Sequence, residues 1–172
     1  MGLSATHIAT SAGANVITVD IADDKLELAR KVGAAETINS RETNPVEAVR
    51  ELTGGGADKS IDALGIPDTL HDAVNSLRSG GVHIQIGMTP EGPAGDVPLT
   101  INDIVAKEID FRGSFGMPAV EFRYLLNQVA AGKLQPGQLV TKTIALQDVN
   151  DALNAMSTYN TVGTSVITDF TH

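Results

Sequence analysis

The sequence predicts an α/β fold in which helices cover both faces of a parallel sheet. Short segments rich in β-branched residues alternate with longer segments whose apolar residues recur at helical spacing. Strands that alternate with helices in this way need crossover connections, which give a doubly wound parallel sheet. The length of 172 residues is sufficient for one main domain with a hydrophobic core.

The first five elements are predicted from short apolar patterns and from the residues that end them. We expect helices over residues 2–12, 23–32 and 45–52, and strands over residues 15–20 and 36–39. Gly13 and Gly33 stand where the first two helices should end. Asn44 is a suitable cap for the third helix, and Pro45 suits its first turn.

The alternation continues through the middle of the chain. We expect strands over residues 59–64, 82–86 and 109–115, and a helix between residues 122 and 129. A further helix begins at Pro67, and its apolar face contains Leu70, Ala73, Val74 and Leu77. The pair Gly80–Gly81 is expected to end that helix. A loop over residues 89–98 precedes a short helical stretch.

The last part of the chain is predicted to form a βαβ-like tail. It contains a strand over residues 139–145, a strand over residues 164–168 and, between them, a helix with Val149, Ala152, Leu153 and Met156 on one face. A Pro-Gly turn precedes it. We therefore divide the chain into a main domain over residues 1–134 and a tail over residues 135–172.

Composition and charge argue against several classes of function. A net charge of −9, from 21 acidic and 12 basic residues, would repel a phosphate backbone, so we expect no nucleic-acid partner. No apolar run approaches the roughly 20 residues of a membrane span, and no secretory signal follows Met1, so we expect no membrane partner and a cytoplasmic protein. The absence of cysteine and the scattered positions of the four histidines predict no metal site.

Gly2 and Asp20 form half of a dinucleotide-binding pattern. In that pattern a glycine turn opens a helix whose N–H groups hold a pyrophosphate, and an acid at the end of the next strand binds ribose hydroxyls. Gly2 opens the first predicted helix, and Asp20 ends the next strand 18 residues later. An ordinary helix start and a solvated strand end would give the same pair, so the pair needs support from its surroundings.

Six short segments supply that support, because together they resemble the zinc-type medium-chain alcohol dehydrogenases. They are GLSATHIA at residues 2–9, VDIADDK at 19–25, ARKVGA at 29–34, DALG at 62–65, QIGM at 85–88 and GSFG at 113–116. Their order and separation are typical of that family, and they extend over nearly the whole chain. The chain is thus similar to the NAD-binding, Rossmann-like half of an enzyme that transfers hydride between an alcohol and NAD.

The resemblance implies NAD as the cofactor and gives each segment a role. Asp20 would accept hydrogen bonds from the adenosine ribose and repel the 2′-phosphate of NADP, and Lys25 would approach the same ribose. The other cofactor-binding residues are Gly2 and Leu3 at the pyrophosphate, Ala63, Leu64 and Gly65 on the adenosine side, and Ile86, Gly87, Met88, Ser114, Phe115 and Gly116 around the nicotinamide. A solvated lysine is the alternative for Lys25, and glycines that merely end strands are the alternative for the last two segments.

No residue of the chain is predicted to be catalytic. His7 lies within the first helix among apolar neighbours and His83 lies in a strand that looks buried, so packing or a local hydrogen bond explains both. The acidic residues show no pair suited to acid–base catalysis. In the family, the zinc ligands and the proton relay come from a separate domain. This chain has no such ligands, and we expect it to be inactive by itself.

Departures from the family pattern lead us to expect a homo-oligomer and weak NAD binding. The first sheet strand and the first part of the glycine loop are expected to be missing, and that strand is central in the order 3-2-1-4-5-6. A tail strand, a tail exchanged between two copies, or another polypeptide would then fill the open edges. The tail's apolar face, which packs with the other domain in the family, is a second reason for association. Gly163 stands about where many relatives have a pyrophosphate-binding arginine.

The sequence leaves two other functions to consider. A non-enzymatic nucleotide-sensing or assembly protein could be built on the same Rossmann fragment, and NAD titration separates it from a dehydrogenase fragment. A methyltransferase would use the same strand-end acid for a different nucleoside, but the later segments do not fit that class.

Overall fold

The computed structural model describes residues 1–89, 95–158 and 161–171 of the chain. Its helices within these ranges are α1 (Gly2–Ser11), α2 (Asp23–Lys31), α3 (Pro45–Thr53), α4 (Pro67–Asn75), α5 (Ile101–Ala106), α6 (Phe122–Ala130) and α7 (Val149–Ser157). The strands are β1 (Ile17–Asp20), β2 (Glu36–Asn39), β3 (Ala57–Asp62), β4 (Leu77–Gln85), β5 (Asp110–Gly113), β6 (Val140–Ala145) and β7 (Thr164–Asp169). This alternation confirms the predicted α/β fold. Residues 90–94 of the predicted loop lie outside the described residues.

The chain divides into two compact units. Unit 1 contains Met1–Gly2 and Ile38–Ala119, and unit 2 contains Leu3–Thr37 and Val120–His172. None of the described helices combines the length and the apolar character that a membrane crossing requires. The predicted boundary at residue 135, between a main domain and a separate tail, stays a prediction.

Unit 1 is built on a three-stranded parallel sheet in the order β3-β4-β5. Near their carboxyl ends, β3 and β4 are paired in register from Lys59 opposite Val82 to Asp62 opposite Gln85. Helices α3 and α4 pack beside these strands. The buried apolar side chains among the described residues of the unit include Ile38, Val49, Leu70, Val74 and Leu77. Each contributes roughly 1.5–3 kcal/mol by burial, so the two strand ends rest on a packed core.

The boundary between α4 and β4 differs from the sequence prediction. α4 ends at Asn75, and β4 begins at Leu77 and runs through Gly80–Gly81, so the glycine pair does not end the helix. Leu77 pairs with Ala57 of β3, and its side chain is almost completely buried. Strand pairing depends on the partner strand and here overrides the helical spacing in the local sequence.

Unit 2 contains the sheet β6-β7 and the strand β1, which pairs with β2 at the boundary between the units. β6 and β7 are parallel and α7 connects them, which confirms the predicted βαβ-like tail. α2 packs on β1 and buries Leu26, Ala29 and Val32 near that sheet. The turn after β1, which carries Asp20, is therefore held between a strand and a packed helix.

β1 and β3 belong to different sheets. The sheets β1-β2 and β3-β4-β5 match the strands that the order 3-2-1-4-5-6 places on either side of its first strand. Among the described residues, β6 pairs with β7 and neither pairs with β1 or β3. The structure thus does not show the tail closing the open edge within one chain, whereas an exchanged tail and a second polypeptide stay predictions.

Candidate functional site

Asp20 ends β1 in a turn that its own carboxylate stabilises. Oδ1 accepts hydrogen bonds from the backbone N–H groups of Ile21 at 2.8 Å and Ala22 at 3.1 Å. The side chain is half-buried, and α2 begins three residues later. These contacts hold the carboxylate at the carboxyl end of a strand, where ligands bind in doubly wound folds.

Three other predicted residues lie in the first turns of helices. Gly2 and Leu3 form the first turn of α1, a ten-residue helix, so their N–H groups are at its positive end. Lys25 lies in the first turn of α2 and is half-buried. Asp20, Lys25 and Leu3 belong to unit 2, whereas Gly2 and the strand-end loops belong to unit 1.

Two predicted loops, Ala63 to Gly65 after β3 and Ile86 to Met88 after β4, lie in direct backbone contact, and we call them the loop pair. A Cβ on Gly87 would lie 2.4 Å from the Gly65 nitrogen, and a Cβ on Gly65 would lie 2.6 Å from the Met88 carbonyl carbon. Gly65 also has φ +91°, which favours glycine. Both glycines are required for this close approach, so they do more than end their strands.

Asp62 binds both loops of the pair. Its carboxylate accepts hydrogen bonds from Leu64 N at 2.9 Å, Gly65 N at 3.1 Å and Thr69 Oγ1 at 3.2 Å. Its backbone carbonyl accepts from the N–H groups of Ile86 and Gly87, each at 2.9 Å. The side chain is 3% exposed, and a buried carboxylate of this kind needs these donors to offset its desolvation.

Gln85 extends these contacts into the sheet. Its amide Nε2 donates to Asp62 Oδ2 at 2.9 Å and to the Gly87 carbonyl at 2.7 Å. Its Oε1 lies 3.0 Å from His83 Nε2, and His83 Nδ1 lies 2.9 Å from Ser60 Oγ. We call Ser60, Asp62, His83 and Gln85 the buried polar network.

This network was not predicted from the sequence, although the spacing of its polar residues indicates it. β3 and β4 each carry polar residues two positions apart near the carboxyl end, and residues two apart share one face of a strand. The register places Ser60 opposite His83 and Asp62 opposite Gln85. For His83 the sequence predicts packing or a local hydrogen bond, and in the structure the residue is fully buried and bonds Gln85, two residues further on, as well as Ser60 of β3.

His83 is held in an environment that disfavours its charged form. Burial lowers the pKa of His83, and this effect outweighs the hydrogen bond to Gln85 and the nearby Asp62 carboxylate, which both raise it. The ring also packs against Phe111, with the ring centroids 4.7 Å apart. The imidazole is therefore a neutral hydrogen-bonding group at neutral pH.

The third predicted segment, after β5, is joined to the others through one residue. Ser114 N donates to the Gln85 carbonyl at 2.9 Å, so Ser114 lies beside the end of β4. Phe115 is 90% exposed, and Gly116 has φ +64° in an exposed turn. The structure thus brings Ser114 together with the loop pair and leaves Phe115 in solvent.

A cavity of about 220 Å³ in unit 1 opens next to the loop pair. Gly65, Gln85 and Gly87 contribute to its wall together with apolar residues that include Leu70 and Phe111. A larger cavity of about 330 Å³ lies between α4 and α5 and contains none of the predicted site residues. The smaller cavity therefore adjoins the predicted cofactor loops in unit 1.

The residues do not fit a zinc ion. The chain has no cysteine, and the described residues contain no group of three histidine or acidic side chains arranged to hold a metal. His7 Nδ1 lies 3.2 Å from the Val32 carbonyl, and its Nε2 accepts from Gln135 N at 2.9 Å. Both ring nitrogens of His7 thus have backbone hydrogen-bonding partners.

Comparison with known proteins places the chain among dehydrogenases. Residues 1–131 match a family model described as zinc-binding dehydrogenase. The chain is 33% identical over 171 residues to an alcohol dehydrogenase of Moraxella sp. (strain TAE123), covering 99% of this chain and 48% of that protein. It is 31% identical over 169 residues to an NAD-dependent alcohol dehydrogenase of Sulfurisphaera tokodaii, covering 97% and 47%. The chain spans about half the length of these relatives.

Solved structures agree with this assignment. Benzyl alcohol dehydrogenase from Acinetobacter calcoaceticus matches with a TM-score of 0.87 and 29% identity, over 98% of this chain and 47% of that chain. A short-chain alcohol dehydrogenase from E. coli CFT073, solved with NADH, matches with a TM-score of 0.78 and 25% identity, over 90% and 45%. Together with the doubly wound fold and the strand-end loops, these matches show that the chain belongs to the zinc-binding dehydrogenase family.

Proposed function

We propose that this chain is the NAD-binding portion of a zinc-dependent alcohol dehydrogenase. The observation that carries the proposal is the carboxylate of Asp20, fixed by the Ile21 and Ala22 amides at the carboxyl end of β1. A ribose needs such an acceptor. The relatives include an NAD-dependent enzyme and a structure with NADH, which supports the choice of cofactor.

The predicted site residues would bind different parts of NAD. Asp20 would accept the adenosine ribose hydroxyls through Oδ2, since Oδ1 is used by the turn. Lys25 would approach the same ribose, and the first turn of α1 would face the pyrophosphate. In the loop pair, Ala63 to Gly65 would line the adenosine side. Ile86 to Met88 and the 114–116 segment would line the nicotinamide half. When bound, NAD accepts hydride from the alcohol in the intact enzyme.

The Asp20 assignment is tested by calorimetric titration of the full chain with NAD and NADP. NAD is expected to bind more tightly, because the carboxylate repels the 2′-phosphate. Asp20→Ala should weaken NAD binding roughly ten- to hundredfold, since a charge-assisted hydrogen bond is lost, and should relax the preference over NADP. Asp24→Ala is the matched control, because Asp24 is exposed in the first turn of α2. An unchanged Kd in Asp20→Ala would contradict the ribose site.

We further propose that the chain by itself does not oxidise alcohols. Hydride transfer in this family needs an alcohol polarised by zinc beside the nicotinamide, and this chain offers no cysteine ligand. An NADH absorbance assay with several primary and secondary alcohols should give no signal, with or without added zinc. A rate proportional to protein concentration and abolished by a chelator would overturn this proposal.

A non-enzymatic sensing or assembly role is the second candidate, and the open sheet edges favour it. β1 and β3 each have a described strand partner on one side, and Ile61 of β3 is 40% exposed. We therefore also propose that the chain associates with further copies of itself. NAD binding in the titration above would favour the dehydrogenase portion, and oligomerisation without any nucleotide binding would favour the assembly role.

A further inference from the structure

The buried polar network is more polar than a sheet core requires. Asp62 is 3% exposed and His83 is fully buried. Burying such groups costs free energy unless every donor and acceptor is paired, and apolar side chains of similar size would avoid that cost. A fully paired network instead specifies one arrangement of the atoms it connects. The atoms connected here are the backbone groups of the loop pair.

The hydrogen-bond directions in the network follow from Asp62. Its carboxylate accepts from two backbone N–H groups and from Thr69, and the remaining partner of Oδ2 is the Gln85 amide, which must donate through Nε2. Gln85 Oε1 is then an acceptor, so His83 Nε2 carries the proton. Nδ1 of the neutral ring accepts, and Ser60 donates to it. A single neutral tautomer satisfies the whole chain of bonds.

We propose that His83, acting through Gln85, is a positioning residue that holds the two loops of the loop pair at the spacing needed by a cofactor that touches both of them. The inference rests on the proposed function, because it assumes that the first loop lines the adenosine side of NAD and the second loop lines the nicotinamide half. Gln85 bonds both the Asp62 carboxylate and the Gly87 carbonyl, and Asp62 bonds the Leu64 and Gly65 amides. A rotated Gln85 amide would therefore lose the Gly87 carbonyl of one loop and the Asp62 carboxylate that bonds the other loop.

The backbone contact between the loops transmits any such shift. A Cβ on Gly87 would meet atoms of Leu64 and Gly65 within 2.4 Å, so the two loops have no free space between them. Displacement of one loop must then displace the other. The network acts on the pair as a unit, and its loss should affect a ligand that touches both loops more than one that does not.

The test compares NAD with ADP-ribose, which lacks the nicotinamide, by calorimetry on the full chain. Gln85→Met keeps side-chain volume and removes the amide, and should weaken NAD about tenfold, the equivalent of one buried hydrogen bond. ADP-ribose should keep its affinity within about twofold. His83→Phe should show the same pattern, and His83→Gln should recover much of the loss, because glutamine can again donate to Gln85. Gln147→Met, at an exposed glutamine, is the matched control.

The outcomes separate this inference from the proposed function. An equal loss for both ligands, or no loss for NAD, would overturn the positioning role. If the wild-type chain binds neither ligand, the proposed function fails, and an NMR arm decides the inference. In that arm, ¹⁵N spectra should show His83 protonated at Nε2, and His83→Phe should shift the Gly65 and Gly87 amide resonances together. Unshifted amides, or a proton on Nδ1, would overturn the inference even where every variant folds.

Discussion

The neutral imidazole of His83 links a single residue to the pH dependence of folding. Burial lowers its pKa below the ordinary value of 6.5, whereas in the unfolded chain the ring titrates near that value. As the pH falls through 6.5, the unfolded state therefore binds a proton that the folded state refuses. The free energy of unfolding should decrease from that point down to the lowered folded pKa, and His83 should contribute no slope well above it.

Urea denaturation at several pH values between 8 and 5 measures this effect. Asp72 contributes in the opposite direction, because burial raises its pKa and favours the folded state as the pH falls. The Asp72 contribution is the same in wild type and in His83→Gln, so the comparison of the two proteins removes it. Below pH 6.5, the free energy of unfolding of the wild type should fall more steeply with decreasing pH than that of the variant. Parallel curves for the two proteins would show that His83 is not held neutral.

The role of a single residue was predictable where a local sequence pattern determines it. It was not predictable where the residue's contacts depend on a partner strand. Asp20 follows from its spacing to Gly2, and Asn44 from the cap it provides, which the structure confirms through its bonds to Val46 N and Glu47 N. The Asp62 to Gln85 bond depends on the register of two strands separated by a helix. Such a register is not local information.

At the scale of elements, the loop pair depends on glycine at position 87. An added Cβ would lie 2.4 Å from backbone atoms of the neighbouring loop, which cannot move aside as a flexible side chain could. Gly87→Ala should lower the free energy of unfolding by about 1–3 kcal/mol, as overpacking does, and should weaken NAD binding. Gly113→Ala is the control, because a Cβ there meets nothing within 4 Å. Equal denaturation midpoints for the two variants would contradict the close approach.

The α4 to β4 boundary shows why element ends were harder to predict than element types. Leu77 continues the helical spacing of Leu70 and Val74, and it is buried in the structure as that spacing requires. Leu77 nevertheless belongs to a strand, because its backbone pairs with Ala57. The burial of Leu77 was predictable from the sequence, whereas the type of element that contains Leu77 was not.

At the scale of the whole molecule, the exposed apolar residues predict self-association. Phe122 and Leu126 on α6 and Leu153 and Met156 on α7 are each more than half exposed. Leaving such side chains in water forgoes roughly 1.5–3 kcal/mol each, which is large against a domain stability of about 5–15 kcal/mol. Light scattering at micromolar concentrations should give a dimer or a larger species. A sharp monomeric mass with cooperative melting would contradict this prediction.

A deletion tests the part that the tail plays in the same behaviour. Removal of residues 135–172 should cause aggregation or unfolding, because it removes the β6-β7 sheet with α7 and the Gln135 amide bound by His7. A control variant that carries Lys at positions 153 and 156 keeps the tail and removes two exposed apolar side chains. If association depends on the tail face, this control should shift the mass toward the monomer.

The family and the strand grouping were predictable because six separated segments agree with one another along the chain. The split into β1-β2 and β3-β4-β5 follows from the known order of a doubly wound sheet. The βαβ-like tail was predictable, but the sequence did not indicate whether β6 and β7 also pair with another sheet. The tail strands carry no signal that distinguishes one sheet edge from another.

The separate sheets also bear on how fast the protein folds. Every strand pair in the described structure joins strands that are consecutive in the chain: β1 with β2, β3 with β4, β4 with β5, and β6 with β7. Pairing between strands that are close in the sequence keeps the contact order of these sheets low, and low contact order favours fast folding. Each sheet can therefore form as soon as its own segment has been synthesised, before the remainder of the chain leaves the ribosome.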